Sequence, residues 1–191
     1  ELIDVKTDKV LQKIAAGWPV NALAFSADGE LLAVAGGEPA LYGEVKIWRV
    51  ASGELLHTLR GARDSFYCVA IDAAGIRLAA GSYDQTIQLW ELGQTKPIAQ
   101  LEGHNGPVFD LAFTQKDSLL ASASGDRTVK LWSVPEGTRL DTLQESTLDL
   151  YARAVAPDGS RVYAAGVDRR IRAWKLSPGA KEGANPLLLS Q

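Results

Sequence analysis

Four of the five tryptophans in this 191-residue chain, Trp48, Trp90, Trp132 and Trp174, stand 42 residues apart, and no other feature restricts the fold as strongly. Each closes a similar phrase. The clearest are Gly81-Ser82-Tyr83-Asp84-Gln85-Thr86-Ile87-Gln88-Leu89-Trp90 and Ser124-Gly125-Asp126-Arg127-Thr128-Val129-Lys130-Leu131-Trp132. Gly166-Val167-Asp168-Arg169-Arg170-Ile171-Arg172-Ala173-Trp174 follows, and a less regular copy ends in Glu44-Val45-Lys46-Ile47-Trp48. Asp84, Asp126 and Asp168 keep the same interval of 42. A period of this length means one supersecondary unit used repeatedly, each copy burying a face against the next.

Within each unit, short apolar alternations are separated by turn residues, the pattern of strands. In the first, Val20-Asn21-Ala22-Leu23-Ala24-Phe25 alternates, and Ser26-Ala27-Asp28-Gly29 offers the positive φ of a tight turn. Residues 31–36, 45–50 and 54–59 read as three more strands. The same plan recurs at 66–101 and 108–143, and three strands of it at 150–176. A surplus of about four residues within 37–43 accounts for the 46-residue step from Phe25 to Ile71, against 42 from Ile71 to Phe113. The expected units are 15–61, 62–103, 104–145 and 146–176, with 1–14 as the last two strands of a preceding unit. Residues 177–191 have linker composition, so the last unit is expected to lack its outer strand. Four short strands per unit at this spacing fit a propeller blade better than a sandwich.

The tryptophan closing each third strand, the turn aspartates Asp84, Asp126 and Asp168, and the Gly103-His104 dipeptide resemble WD40 repeats over residues 2–176. The residue after tryptophan is Arg49, Glu91, Ser133 or Lys175, never the aspartate that gives the repeats their name, and one unit alone has Gly-His. The resemblance implies an all-β, WD40-type β-propeller with about four to four and a half blades present, the C-terminal part of a ring of about seven. The chain starts at Glu1 with no methionine, which supports the expectation of a piece of a larger ring. The rest of the propeller, or another copy, would then complete it. The alternative is a four-bladed ring closed by residues 10–14.

Composition removes several function classes. A net charge of −3 argues against general nucleic-acid binding, which needs a basic footprint. No apolar run reaches the roughly 20 residues of a membrane helix, so no membrane insertion is expected, and the compartment stays open. Cys68 is the sole cysteine and His57 and His104 the only histidines, too few for a zinc cluster or a haem-attachment motif, so no metal or cofactor is expected.

His104, Ser122 or Ser124, and Asp126 superficially form a Ser-His-Asp set. The resemblance instead implies that these residues and Trp132 form a buried hydrogen-bonded network, with Asp84, Trp90, Asp168, Trp174 and Trp48 in matching structural places. A buried network of this kind fixes geometry, whereas catalysis needs an exposed nucleophile and an oxyanion site. No catalytic residue is therefore assigned. The resemblance also implies that the residue early in each first strand lines the mouth of the central channel: Asn21, Tyr67, Phe109 and Tyr151. Cys68 and Asp110 follow directly and are expected to share that rim, with Asp110 free to pair with a basic partner. Tyrosine and phenylalanine are typical interface anchors, although strand alternation equally allows them to pack between blades. Residues 149–181 carry seven basic side chains against three acidic ones, and residues 38–43 form a second candidate contact. The expected function is a non-catalytic scaffold binding a protein or peptide at the rim. The alternative is an accessory propeller of a larger multidomain enzyme or electron-transfer protein whose active site lies outside this chain.

Overall fold

In the computed structural model, which describes residues 1–114, 118–156, 158–176, 183 and 185–190, the chain is built from antiparallel sheets. A hairpin, β1 (Leu2–Asp4) and β2 (Lys9–Gln12), precedes four four-stranded sheets. Sheet one contains β3 (Val20–Phe25), β4 (Leu31–Glu38), β5 (Tyr42–Arg49) and β6 (Glu54–Ala62). Sheet two contains β7 (Phe66–Ile71), β8 (Arg77–Ser82), β9 (Ile87–Glu91) and β10 (Ala99–Leu101). Sheet three contains β11 (Val108–Phe113), β12 (Leu119–Ser124), β13 (Val129–Ser133) and β14 (Arg139–Leu143). Sheet four contains β15 (Leu150–Val155), β16 (Arg161–Gly166), β17 (Ile171–Lys175) and β18 (Leu187–Ser190). Each sheet runs in sequence order, as a propeller blade does, and the first strands β3, β7, β11 and β15 lie side by side in succession.

The turns follow from residue choice. Gly29, Gly75 and Gly159 close the turn between the first and second strands of their blades at φ of 74°, 67° and 69°, where a Cβ is penalised. Between second and third strands the left-handed residue is not glycine: Gln85, Arg127 and Arg169 stand at φ of 77°, 71° and 62°. The strain there is offset by the preceding aspartate, whose side chain accepts the N–H two residues on, at Thr86, Thr128 or Arg170.

The core lies between blades. Val45, Ile47 and Leu59 of blade one meet Phe66, Leu78 and Trp90 of blade two. Ile87, Leu89 and Leu101 meet Val108, Leu111 and Trp132, and Val129, Leu131 and Leu143 meet Leu150, Val162 and Trp174. Trp90, Trp132 and Trp174 are fully buried. Removing an indole of roughly 200 Å² from water is worth about 5 kcal/mol gross, so these tryptophans dominate each interblade core. Small residues on the second strands, Ala33, Ala79, Ala80 and Ala121 among them, bring the sheets close.

Two expectations change. Blade four has its outer strand: β18 pairs with β17 through Arg172↔Ser190 and Trp174↔Leu187. The segment leading into it is pinned by Asp141, which accepts the Gly183 N–H (2.8 Å) and the Asn185 amide (2.6 Å). A leucine triplet after a linker-like run carries no alternation, which is why the strand escapes sequence reading; residues 177–182, 184 and 191 lie outside the described residues. The surplus at 37–43 is likewise less a loop than an extension of β4 and β5, with Gly37↔Gly43 and Glu38↔Tyr42 paired around a tight turn.

Close approach calls for glycine at several positions, Gly81 between blades two and three among them. A Cβ on Gly81 would stand 2.5 Å from Val108 Cγ1 and 2.7 Å from Cys68 Sγ. Gly81→Ala is therefore expected to lower the stability by about 1–3 kcal/mol through overpacking. Urea denaturation measures this, and an unchanged midpoint would show that blades two and three are not packed this closely.

Candidate functional site

The turn between second and third strands carries an aspartate in blades two to four, and each binds the chain segment entering its blade; in blade one a glutamate on the third strand does so. In blade two, Asp84 Oδ2 accepts the Arg63 N–H (2.7 Å), while Oδ1 accepts the N–H and hydroxyl of Thr86 (3.0 and 2.7 Å). In blade three, Asp126 Oδ2 meets His104 Nδ1 (2.7 Å) and the Asn105 N–H (3.0 Å). His104 Nε2 lies 2.8 Å from Ser122 Oγ, which accepts the Trp132 indole N–H at 2.9 Å. A carboxylate only accepts, so Nδ1 carries the proton, Nε2 is the acceptor, and the Ser122 hydroxyl donates to it. In blade four, Asp168 accepts from Arg172 (2.6 Å), Ser146 (3.3 Å) and the Arg170 N–H (3.2 Å). In blade one, Glu44 takes the role, receiving the Trp18 indole (2.8 Å) and Arg60 (2.6 Å).

These bonds set the charge states. Burial raises the carboxyl pKa of Asp126, but bonds from His104, Thr128 and Asn105 outweigh it and hold the group well below its ordinary 3.8. The Arg172 bond is the main reason Asp168 is held at about 2. Burial lowers the pKa of His104 from its ordinary 6.5; the Asp126 carboxylate opposes this, while Lys130 and Arg139 push the same way as burial. Ser122 is fully buried and committed to His104 and Trp132, so it is no accessible nucleophile. Ser124 donates to the Gly106 carbonyl (2.9 Å) and accepts the Asp126 N–H (3.1 Å), outside the histidine chain. Blade two lacks the full set: Ala80 and Ala62 stand 42 residues before Ser122 and His104, and the Trp90 indole N–H is buried without a partner among the described residues. Trp48 is buried under the N-terminal hairpin with Leu32 and Val34.

The rim candidates share one backbone feature. The register of β3, β7, β11 and β15 against its neighbour skips one residue in each, and the skipped residues are Asn21, Tyr67, Phe109 and Tyr151. Each is a β-bulge residue, unpaired in the ladder and re-aimed by it. Tyr67 and Tyr151 are 36% and 52% exposed, and Phe109 is half-buried. Their rings form a continuous row: Tyr67 to Phe109 at 5.8 Å and 78°, and Phe109 to Tyr151 at 5.0 Å and 76°. Tyr83 extends it, 5.6 Å from Tyr67. Asn21 stands apart from the rings and donates to the Phe66 carbonyl (2.9 Å), tying blade one to blade two.

The bulge also corrects the residues that follow. Cys68 is 4% exposed, its sulfur facing the Gly81 and Val108 carbonyls, and burial pushes its thiol pKa up. It belongs to the core between blades two and three, not to the rim. Asp110 is already paired within the chain, with the Arg153 guanidinium (3.2 Å) and N–H (3.0 Å), directly beside the Phe109–Tyr151 contact. Arg153 was legible: it stands in a column otherwise held by Leu23, Val69 and Leu111. Tyr83 was legible too, since the later copies have Gly125 and Val167 in its place. Among the described residues no three His, Cys, Asp or Glu side chains are grouped to hold a metal ion, and no helix is long and apolar enough to cross a membrane.

The sequence model of the family described as "WD domain, G-beta repeat" matches residues 9–49, 53–91 and 95–133. The U3 small nucleolar RNA-associated protein 15 homolog of Xenopus laevis is 32% identical over 90 residues, which are 47% of this chain and 16% of that protein. The intraflagellar transport protein 122 homologs of Danio rerio and Homo sapiens are 38% identical over 80 residues and 37% over 68. Those matches take in 42% and 36% of this chain, and 6% and 5% of the relatives, so the chain spans a small part of the proteins it resembles.

The depressed pKa of His104 gives a pH dependence of known sign. Below 6.5 the unfolded chain binds a proton that the folded chain resists, so this contribution to stability is present above 6.5 and is lost as pH falls through the lower folded value. Wild-type stability is expected to decline between about pH 7 and about pH 5, and His104→Gln, though less stable overall, to decline less steeply there. Equal slopes from chemical denaturation at both pH values would remove His104 from the account.

Proposed function

This chain belongs to the WD40-repeat family, and on that premise we propose that it is a non-catalytic scaffold whose aromatic row, Tyr67, Phe109 and Tyr151, docks a protein or peptide. One observation carries the reading: a bulge recurs at the same point of all four first strands and takes these side chains out of the ladder. A bulge forgoes ladder bonds, and large rings left partly exposed forgo burial, so both features weigh against a purely structural role. Tyrosine and phenylalanine offer much contact area at little cost in side-chain freedom, which suits an anchor. The Asp110–Arg153 pair fixes Phe109 against Tyr151 before any partner arrives, reducing the ordering cost of binding. As an accessory module of a larger enzyme the chain would use the same surface, with the chemistry elsewhere.

A phage-displayed library of random peptides, selected on the full chain, tests the proposal. Peptides are expected that bind the wild type and lose at least about tenfold in affinity against Tyr67→Ala/Phe109→Ala, the loss of roughly one anchor residue. The double variant is expected to keep the wild-type circular dichroism, since neither ring is fully buried. Selected peptides that bind the folded double variant equally well would move the docking surface elsewhere.

A further inference from the structure

Blade one assembles, from its own residues, a cation over a ring beside a carboxylate. Lys46 Nζ stands 5.5 Å from the centre of the Trp18 ring and 3.5 Å from Glu44. The Arg60 guanidinium stands 5.4 Å from the Tyr42 ring and 2.6 Å from the same Glu44. At the other end of the aromatic row two of these three parts are present. Phe109 and Tyr151 supply the rings, and Asp149, half-buried two residues before Tyr151, supplies the carboxylate. Phe109 Cε2 and Asp149 Oδ2 flank Gly125, at 3.2 and 3.6 Å from the point where its Cβ would stand. Among the described residues no donor reaches the Asp149 carboxylate, whereas its neighbours are committed: Asp110 to Arg153, Asp126 to His104, Asp168 to Arg172.

Accepting the docking surface proposed above, we infer that its Phe109–Tyr151 end takes a basic side chain, arginine or lysine, of the bound peptide, with Asp149 as its counter-charge. The part missing relative to blade one is the cation. Aromatic faces carry negative quadrupole density and attract cations while repelling carboxylates. Arg127, Arg169 and Arg170, exposed on the turns of the same end, make an acidic segment the rival occupant. Such a segment would have to avoid both the ring faces and Asp149. A guanidinium gains from both at once, and its flat shape suits stacking on Tyr151.

The probes are acetylated, amidated pentapeptides of glycine with arginine, lysine, citrulline or glutamate at the centre, titrated into the full chain. The ring protons of Phe109 and Tyr151 report binding by nuclear magnetic resonance. The arginine and lysine peptides are expected to shift these signals saturably and the citrulline and glutamate peptides not. Asp149→Asn, which keeps side-chain shape and leaves the backbone carbonyl bonded to the Val167 N–H, is expected to weaken the arginine peptide roughly threefold to fivefold, the size of one partly exposed ion pair. Added salt should narrow that difference. Equal shifts from the glutamate peptide, or an Asp149→Asn affinity equal to wild type, would overturn the inference. Library peptides that depend on Tyr67 and Phe109 yet lack basic residues would overturn it too, while leaving the docking surface in place. No ring shift from any pentapeptide, together with a library yielding no row-dependent peptide, would remove both.

Discussion

The acid in, or in blade one just beyond, the turn between second and third strands is the point on which each blade's geometry depends. It joins two segments far apart in the chain: the turn itself, and the loop that brings the chain in from the preceding blade. Asp126 accepts from His104 and Asn105 on that loop, Asp84 from Arg63, Asp168 from Ser146, and Glu44 from Trp18. An unmade bond of this kind costs about 1–3 kcal/mol when the donor is buried, while the made bond gains less, so the arrangement specifies geometry more than it adds stability. The donors differ from blade to blade, but the acceptor is always a carboxylate, in the turn itself in blades two to four and on the third strand in blade one. Blade three carries the chain of bonds furthest inward, from Asp126 through His104 and Ser122 to the core tryptophan.

Fixing the incoming loop fixes where each first strand begins, and hence where its bulge falls. The consequences alternate along the strand. Phe66, Val108 and Leu150 enter the interblade core before the bulge; Tyr67, Phe109 and Tyr151 are turned out at it. Beyond it, Cys68 returns to the core and Asp110 reaches across to Arg153. Packing and presentation are thus set by the same one-residue irregularity. A row of aromatic rings arises without any loop dedicated to it, and the rings touch because adjacent blades carry them at equivalent bulges.

Much of this was legible from the repeat alone. The 42-residue interval, the alternation of the first three strands and the turn aspartates placed the sheets, and the resemblance to WD40 repeats implied the His104 network. What escaped did so for physical reasons. β18 is held by Asp141 reaching Asn185, 44 positions away in sequence, and not by any pattern of its own. Cys68 follows Tyr67 directly, and that adjacency suggests a shared rim, but successive strand residues face opposite ways, so Cys68 packs in the core, as Phe66 does, while Tyr67 turns out. Asp110 looked free because its partner, Arg153, sits in the next blade. Asp149 shows nothing in sequence at all; the role inferred for it rests on its spatial neighbours, Phe109 and Gly125, and on the absence of a donor to its carboxylate among the described residues.

The carboxylate-to-loop bonds are tested most directly by residue-resolved amide hydrogen exchange. Arg63 and Asn105 lie exposed in loops, yet their N–H groups are bonded to Asp84 and Asp126. Both amides are expected to exchange slowly, on the scale of strand amides, and to lose that protection when the aspartate paired with each is replaced by alanine. Exchange at Arg63 and Asn105 as fast as that of unbonded amides in the same loops would contradict the account.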